Sequence, residues 1–305
     1  MIEVRELTKR FGSKTAVDNL SFTAKPGQVT GFLGPNGAGK STTMRMIVGL
    51  DAPTSGTALV NGARYAAHAA PLCEIGVLLE ARSVHPGRTA VAHLLALART
   101  HGIPRRRVDE VIARAGLGAV AGKRVGGFSL GMGQRLGIAA ALLGDPAVIM
   151  LDEPVNGLDP EGVLWVRNLL GGLAAEGRTV LLSSHLMSET ALIADHLVIV
   201  GRGRLLADTS VPDLIAQTAG GGVRVGTSET GLLRSLLTGP GVTVTSVDHE
   251  ELLVTGLSAR ELGRVAADNR VPLHELSSSQ VSLEEAFMNL TRESVEYPSA
   301  LEAVK

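Results

Sequence analysis

The chain has 305 residues, of which 45% are hydrophobic and 19% charged, enough for one large domain or for a large and a small one. A formal net charge of −1 excludes an overall positive charge that would attract nucleic acid. The single cysteine, Cys73, excludes an internal disulfide. No stretch reaches the roughly 18 consecutive apolar residues of a membrane span, and the first residues are charged, so we expect a chain that is neither secreted nor membrane-spanning.

The first part of the chain predicts an antiparallel β edge followed by a strand, a loop and a helix. Alternating residues predict strands over Ile2–Leu7 and Ala16–Lys25, with a turn at Gly12-Ser13-Lys14 between them. A third strand is predicted over Gln28–Leu33. It runs into a glycine-rich loop, and a helix follows from about Lys40 to Val48.

Strands and helices alternate through the next part, which predicts a parallel sheet. Thr89–Gly118 has helical spacing with a break near Gly102, and we interpret residues 85–145 as a helical insertion. Ser129 is a plausible N-cap for the next helix, and the apolar run Ala147–Leu151 predicts a buried parallel strand. Further elements are predicted at Glu161–Glu176 (helix), Thr179–Ser183 (strand) and on both sides of Gly201-Arg202-Gly203 (a strand pair).

The pattern changes near Thr218, and we predict a domain boundary there, between residues 1–218 and 219–305. The run Gly220-Gly221-Gly222 predicts a flexible break. The residues after it predict a small α+β domain with strands at Val223–Val225, Val242–Val247 and Leu252–Thr255, and with capping boxes at Ser258/Glu261 and Ser282/Glu285. We find no chemical site in this domain.

One loop fits the pattern of a phosphate-binding loop (P-loop), G-x-x-x-x-G-K-[ST]. It lies between a predicted strand and a predicted helix, which is the structural context expected of a P-loop. Its glycines let backbone N–H groups converge on phosphate oxygens, its lysine reaches the β and γ phosphates, and its serine hydroxyl can bind Mg²⁺. The predicted nucleotide-binding residues are Gly34, Pro35, Asn36, Gly37, Ala38, Gly39, Lys40, Ser41 and Thr42.

A second group of residues lies after the predicted strand Ala147–Leu151, where the carboxyl ends of parallel strands carry the chemistry of open α/β sheets. Asp152 can supply a carboxylate to Mg²⁺, and Glu153 can polarise an attacking water. With the P-loop, this order of motifs resembles the ATP-binding cassette (ABC) family over about residues 2–215. The resemblance implies a P-loop NTPase core with a mixed, largely parallel sheet.

The resemblance also implies roles for residues outside these two groups. Phe11 stands where the family has an aromatic residue that stacks on adenine, although it equally fits a core position. Ser129 and Gly131 resemble the family's signature, whose usual second residue, glycine, is leucine here; the signature binds the nucleotide of the other subunit. Asp159 resembles part of the loop between the two sites. His185 resembles the family's switch histidine; the alternative is that His185 is a structural residue.

Glu80, which follows the predicted strand Ile75–Leu79, is a departure from the family, which usually has glutamine at the end of the strand that follows the P-loop half. Glutamate keeps the reach and an acceptor oxygen but adds a negative charge. We hypothesise that Glu80 binds Mg²⁺ directly; the alternative is that Glu80 is a surface residue and the true position is shifted.

The resemblance implies an ATPase that works as a pair of cassettes, most simply a homodimer, on the cytoplasmic face of the membrane. The dimer would power a separate polytopic transmembrane permease. The signature variant and Glu80 resemble the bacterial branch that exports drugs, antibiotics and peptides. The alternatives are an importer ATPase, a soluble mechanical ATPase of the superfamily, and a non-catalytic nucleotide-binding regulator.

Overall fold

The computed structural model describes residues 1–80, 84–185, 187–218, 222–239, 241–278 and 283–291. The chain divides into two compact units. The first covers Met1–Val211 together with Leu290–Lys305, and the second covers Pro212–Asn289. The division between the units falls at the start of α8 (Val211–Thr218), and the boundary predicted near Thr218 falls at its end. Residues 219–221 lie outside the described residues, so the predicted boundary stays a prediction.

Thirteen strands lie in the described residues. They are β1 (Ile2–Phe11), β2 (Lys14–Ala24), β3 (Val29–Leu33), β4 (Ser55–Val60), β5 (Ile75–Leu78), β6 (Val148–Asp152), β7 (Thr179–Ser184), β8 (His196–Gly201), β9 (Arg204–Ser210), β10 (Val223–Gly226), β11 (Thr243–Asp248), β12 (Glu251–Thr255) and β13 (Glu275–Ser278).

The α-helices of the described residues follow the same numbering in chain order. They are α1 (Lys40–Ile47), α2 (Pro71–Glu74), α3 (Ala90–Thr100), α4 (Arg105–Arg114), α5 (Leu130–Ala141), α6 (Pro160–Ala175), α7 (Met187–Ala191), α8, α9 (Thr230–Leu236), α10 (Ala259–Asp268) and α11 (Leu283–Thr291). None of these described helices is both long and apolar enough to cross a membrane.

A six-stranded sheet forms the centre of the first unit, in the order β5-β6-β7-β3-β8-β9. Five of these strands are parallel, and β9 returns antiparallel to β8. All residues of β3 and β7 are buried, as expected for a sheet covered on both faces. The α/β fold class predicted from the sequence is confirmed, with α3, α4 and α5 in the helical insertion.

The antiparallel edge predicted at the N-terminus forms a sheet of its own. β1 pairs with β2 as predicted, but it also pairs with β4 on its other side. The stacked rings of Phe22 and Phe32, 5.2 Å apart, join this sheet to the central one within a single core. The turn between β1 and β2 is thereby fixed beside the P-loop.

The second unit folds as β10-α9-β11-β12-α10-β13, with an antiparallel sheet in the order β11-β12-β10-β13. The predicted capping box of α10 is confirmed, since the Ser258 hydroxyl accepts the Glu261 N–H and the Glu261 carboxylate accepts the Ser258 N–H. The Ser258 N–H and the Ser258 hydroxyl both donate to the Glu261 carboxylate, and these two hydrogen bonds lower the pKa of Glu261. Ser282, of the other predicted capping box, lies outside the described residues.

Candidate functional site

A cavity of about 690 Å³ opens at the carboxyl edge of the central sheet, between the P-loop and the turn that joins β1 to β2. It brings together Phe11, most of the predicted P-loop residues and the two carboxylates at the carboxyl end of β6, Asp152 and Glu153. The lining residues are Phe11, Lys14, Thr15, Ala16, Asn36, Gly37, Ala38, Gly39, Lys40, Ser41, Thr42, Asp152, Glu153 and Arg202.

The P-loop connects β3 to α1 and needs its glycines for two separate reasons. Gly37 and Gly39 have φ angles of 84° and 96°, in the left-handed region that glycine adopts without strain. A Cβ atom at Gly34 would lie 2.4 Å from the carbonyl oxygen of Val200, and one at Gly39 would lie 2.5 Å from that of Ala16. The loop therefore packs backbone against backbone, and Pro35 lies within it.

Lys40 is the first residue of α1 and is only 7% exposed. Its ammonium donates hydrogen bonds to the carbonyl oxygens of Gly34 (2.6 Å) and Pro35 (3.3 Å). Burial lowers the pKa of Lys40, and the carboxylates of Glu153 and Asp152 oppose this shift. A phosphate in the cavity would add negative charge close to the buried ammonium and so stabilise its charged form.

Asp152 joins the P-loop helix to the central sheet. One carboxylate oxygen accepts a hydrogen bond from Ser41 Oγ at 2.8 Å, and the other accepts a short one from Ser183 Oγ. A hydroxyl and a carboxylate so placed are oxygen ligands of the kind that Mg²⁺ prefers. No group of three or more His, Cys, Asp or Glu side chains suited to a metal occurs in the described residues.

Glu153 has a left-handed backbone, with φ 49°, a conformation that costs a non-glycine residue about 1–3 kcal/mol. Its N–H donates to Ser183 Oγ (3.1 Å), and its carbonyl oxygen accepts from Gln134 Nε2 (2.9 Å). His185 Nδ1 lies 2.8 Å from Glu153 Oε1. Among the described residues Oε2 is buried with no hydrogen-bond partner, so one oxygen of the carboxylate is unsatisfied.

Phe11, at the end of β1, is 52% exposed, so the alternative interpretation as a core residue is wrong. The ammonium of Lys9 lies 4.8 Å from the centre of the Phe11 ring, a cation–π distance that steadies the ring at the mouth of the cavity. Such an exposed, oriented ring is suited to stacking on a flat base.

Five predicted nucleotide-binding residues do not line this cavity: Gly34, Pro35, Ser129, Gly131 and Asp159. Ser129 caps α5 by accepting the Met132 N–H at 3.2 Å, as predicted, and lines a separate cavity of about 380 Å³. Asp159 caps α6 by accepting the Gly162 N–H at 2.8 Å.

Leu130, the departure from the usual signature, packs against a glycine of the loop that follows Glu153. A Cβ atom at Gly157 would lie 2.0 Å from Leu130 Cδ2, so the leucine fits only because Gly157 has no side chain. Glu80 follows β5, whose neighbour in the sheet is β6. Its side chain is exposed and does not line the cavity, so binding of Mg²⁺ by Glu80 stays a prediction.

Sequence reasoning missed Lys14, Thr15 and Ala16, which line the cavity from the start of β2. It also missed three residues on other elements. Ser183 contacts Asp152 and Glu153, Gln134 contacts Glu153, and Arg202 lines the cavity from the turn between β8 and β9. The polar end of the otherwise apolar strand β7 was a usable signal for Ser183. No local signal marks Gln134 or Arg202, because their partners are distant in the sequence.

The fold and this site define a P-loop nucleotide-binding protein, and comparisons with known proteins identify its family. Residues 17–156 match the family model described as ABC transporter. The bacitracin transport ATP-binding protein BcrA of Bacillus licheniformis is 43% identical over 211 residues, which cover 68% of this chain and 69% of that protein. The chain belongs to the ABC transporter family and is an ATP-binding, ATP-hydrolysing subunit.

Two further comparisons agree. The lantibiotic transport ATP-binding protein SrtF of Streptococcus pyogenes is 33% identical, over 68% of this chain and 90% of that protein. The dimeric, post-hydrolysis structure of the cassette MJ0796 bound to ADP and Pi matches with a TM-score of 0.63 and 25% identity, over 69% of this chain and 99% of the cassette. Residues 221–284 match a domain of unknown function, DUF8746.

Proposed function

We propose that ATP binds with Mg²⁺ in the cavity above Lys40, and that Glu153 activates the water that attacks the γ-phosphate. The observation that carries this proposal is that Glu153 lines the cavity beside Asp152 and its Ser41 contact, with one carboxylate oxygen unpartnered among the described residues. When bound, Mg²⁺ would neutralise phosphate charge. Lys40 holds the β and γ phosphates, and Ser41 with Asp152 holds the cation.

The remaining groups orient the nucleotide and the base. Phe11 stacks on adenine at the mouth of the cavity, and the backbone N–H groups of the P-loop bind phosphate oxygens. His185, at 2.8 Å from Glu153 Oε1, holds that carboxylate in place and lies at the end of the strand that also provides Ser183. Each of these assignments uses a group at the carboxyl edge of the sheet.

The working unit that we propose is a homodimer of cassettes. Ser129 and Gly131 stand outside the cavity of their own chain, so we assign them, with Asp159, to the nucleotide of the partner cassette. The dimeric state of the MJ0796 cassette supports this arrangement. Pairing with a different cassette is the alternative, and co-purification from the native cell distinguishes the two.

We further propose that the dimer docks on the cytoplasmic face of the membrane and powers a polytopic permease that exports drugs, antibiotics or peptides. The relatives named for bacitracin and lantibiotic transport support a peptide antibiotic as the cargo. The test is ATP-dependent accumulation of bacitracin in everted vesicles that contain the chain and its permease, with Glu153→Gln vesicles as the control. Accumulation only in right-side-out vesicles supplied internally with ATP would indicate an importer instead.

Glu80→Gln is expected to weaken the binding of Mg²⁺, so that hydrolysis requires a higher Mg²⁺ concentration. Loss of one negative charge near the cation corresponds to about 1 kcal/mol, so half-saturation should require at least about fivefold more Mg²⁺. The measurement is steady-state hydrolysis against free Mg²⁺. Glu74→Gln, at the opposite end of β5, is the matched control. An unchanged Mg²⁺ dependence in Glu80→Gln would make Glu80 a surface residue.

Arg202→Asn is expected to weaken ATP binding about threefold to fivefold, the range of one exposed charge contact. Arg202 has φ 47°, and its neighbour Gly203 donates to the Ala38 carbonyl oxygen at 3.1 Å, which fixes the turn against the P-loop. Asparagine tolerates the left-handed backbone, so the turn should be kept. Titration calorimetry with ATP measures the effect.

Arg270→Asn is the control for this prediction, because Arg270 is also left-handed (φ 57°) and does not line the cavity. The control should bind ATP as the unmodified chain does. Equal affinities for all three proteins would contradict a contact between Arg202 and the nucleotide.

A further inference from the structure

The backbone of Glu153 is held from two sides by side chains that belong to other elements. Ser183 of β7 accepts its N–H, and Gln134 of α5 donates to its carbonyl oxygen at 2.9 Å. A left-handed glutamate persists only when its surroundings enforce that conformation. These two hydrogen bonds therefore help to set the direction in which the Glu153 carboxylate leaves the chain.

Gln134 is poorly satisfied as a residue of the core. It is only 5% exposed, and its Oε1 is buried without a partner among the described residues. The Glu153 carbonyl oxygen has a second donor, the Asn156 N–H at 3.2 Å, and does not depend on Gln134 to be satisfied. For stability alone, an apolar side chain of the same length would serve at least as well. The amide points to a role in placing Glu153.

The helix that carries Gln134 is also the helix capped by Ser129. Gln134 lies about 7 Å along the axis from that cap, at the α-helical rise per residue. Near the cap, Leu130 packs against Gly157, and a Cβ atom at Gly131 would lie 3.2 Å from Leu158 Cδ2. The first turns of α5 thus contact the segment 153–158 at several points, so a shift of the helix is transmitted to Glu153.

We propose that Gln134 is a positioning residue that couples the conformation of Glu153 to the helix that begins at Ser129. When that helix binds the partner's nucleotide, the Gln134 amide brings Glu153 of the same chain into its working orientation. Nucleotide binding at one site thereby changes the catalytic geometry at the other. The inference rests on the proposed function, because it takes Glu153 as the base and Ser129 as a contact to the second nucleotide.

The test is Gln134→Met, which keeps the length of the side chain and removes the donor. We expect kcat for ATP hydrolysis to fall about tenfold to a hundredfold, as for a misplaced catalytic group, and its cooperativity in ATP to weaken. The Kd of ATP should stay within about twofold, and the unfolding temperature should be unchanged or higher, because an unsatisfied buried oxygen is removed. Leu136→Met, a buried substitution on the same helix, should change none of these quantities.

A spectroscopic readout separates positioning from a merely structural role. The imidazole ¹⁵N resonances of His185 report its contact with Glu153, and in Gln134→Met they should shift from their positions in the unmodified chain. Gln134→Leu, a second apolar variant, should give the same loss of kcat. Unchanged kcat in both Gln134 variants, with Glu153→Gln inactive, would overturn the coupling. Activity in Glu153→Gln would instead overturn the proposed role of Glu153, and the inference with it.

Discussion

Glu153→Gln is expected to reduce ATP hydrolysis by at least about a hundredfold while ATP binding is preserved. Glutamine has nearly the same shape and can still accept the His185 contact, but its amide cannot take the proton of an attacking water. Because Oε2 is the buried oxygen without a partner among the described residues, it is the atom whose chemistry changes. The measurement is phosphate release at saturating ATP and Mg²⁺.

The same variant should accumulate an ATP-bound dimer, since ATP joins the two cassettes and hydrolysis separates them. Light scattering with ATP should give twice the monomer mass for Glu153→Gln and the monomer mass without nucleotide. If only monomer is seen at saturating ATP, the dimer proposal is wrong. More than a tenth of the normal hydrolysis rate would contradict the role of Glu153.

Glu6→Gln is a closely matched control. Glu6 has the same φ of 49°, and its N–H also donates to a serine hydroxyl, Ser21 Oγ, at 2.8 Å. It lies on β1 and does not line the cavity. Both substitutions exchange a left-handed glutamate for glutamine, so any difference in hydrolysis belongs to the position of Glu153 and not to the backbone.

Lys40→Ala is expected to raise the Kd of ATP by about ten- to a hundredfold, because the phosphates lose hydrogen bonds to a buried charged donor. Without nucleotide, two effects on the stability of the variant oppose each other, so we expect the unfolding temperature to change little. Burial lowers the pKa of Lys40, so removal of the disfavoured charge is stabilising, whereas loss of the hydrogen bonds to the Gly34 and Pro35 carbonyl oxygens is destabilising.

Titration calorimetry and thermal unfolding measure the two parts of this prediction separately. Lys25→Ala, at an exposed lysine just after β2, is the control and should bind ATP normally. A Kd for Lys40→Ala within threefold of the unmodified chain would place the phosphates elsewhere. A large loss of ATP affinity at an unchanged or higher unfolding temperature would support direct contact.

Local patterns in the sequence were sufficient to predict the parts of the site that lie on one element. The P-loop glycines, the buried strand before Asp152 and the cap at Ser129 each follow from neighbouring residues, and the structure has all three features. The sheet order could not be obtained in this way. Strand β4, which completes the N-terminal sheet, and β13 were missed because their partners are far along the chain.

The left-handed backbone of Glu153 was also invisible to sequence reasoning. Nothing in the residue type favours φ 49°; the conformation depends on Ser183 and Gln134, which are 30 and 19 residues away. The separation of Ser129 from the cavity of Lys40 was expected from the family resemblance and not from the residues themselves. The geometry of the site therefore depends on contacts that only the folded chain reveals.

The close packing of the P-loop has a consequence for inhibitor selectivity. At Gly34 and Gly39 the loop lies directly against the backbone of β8 and β2, so its floor offers main-chain groups that substitution can hardly alter. Side chains outside the P-loop and the catalytic carboxylates, which we call the rim, include Phe11, Lys14 and Arg202. Differences from related ATPases that a compound could exploit are expected at this rim. A competitive compound that discriminates this ATPase from its relatives would have to bind that rim, and resistance to it would arise there first.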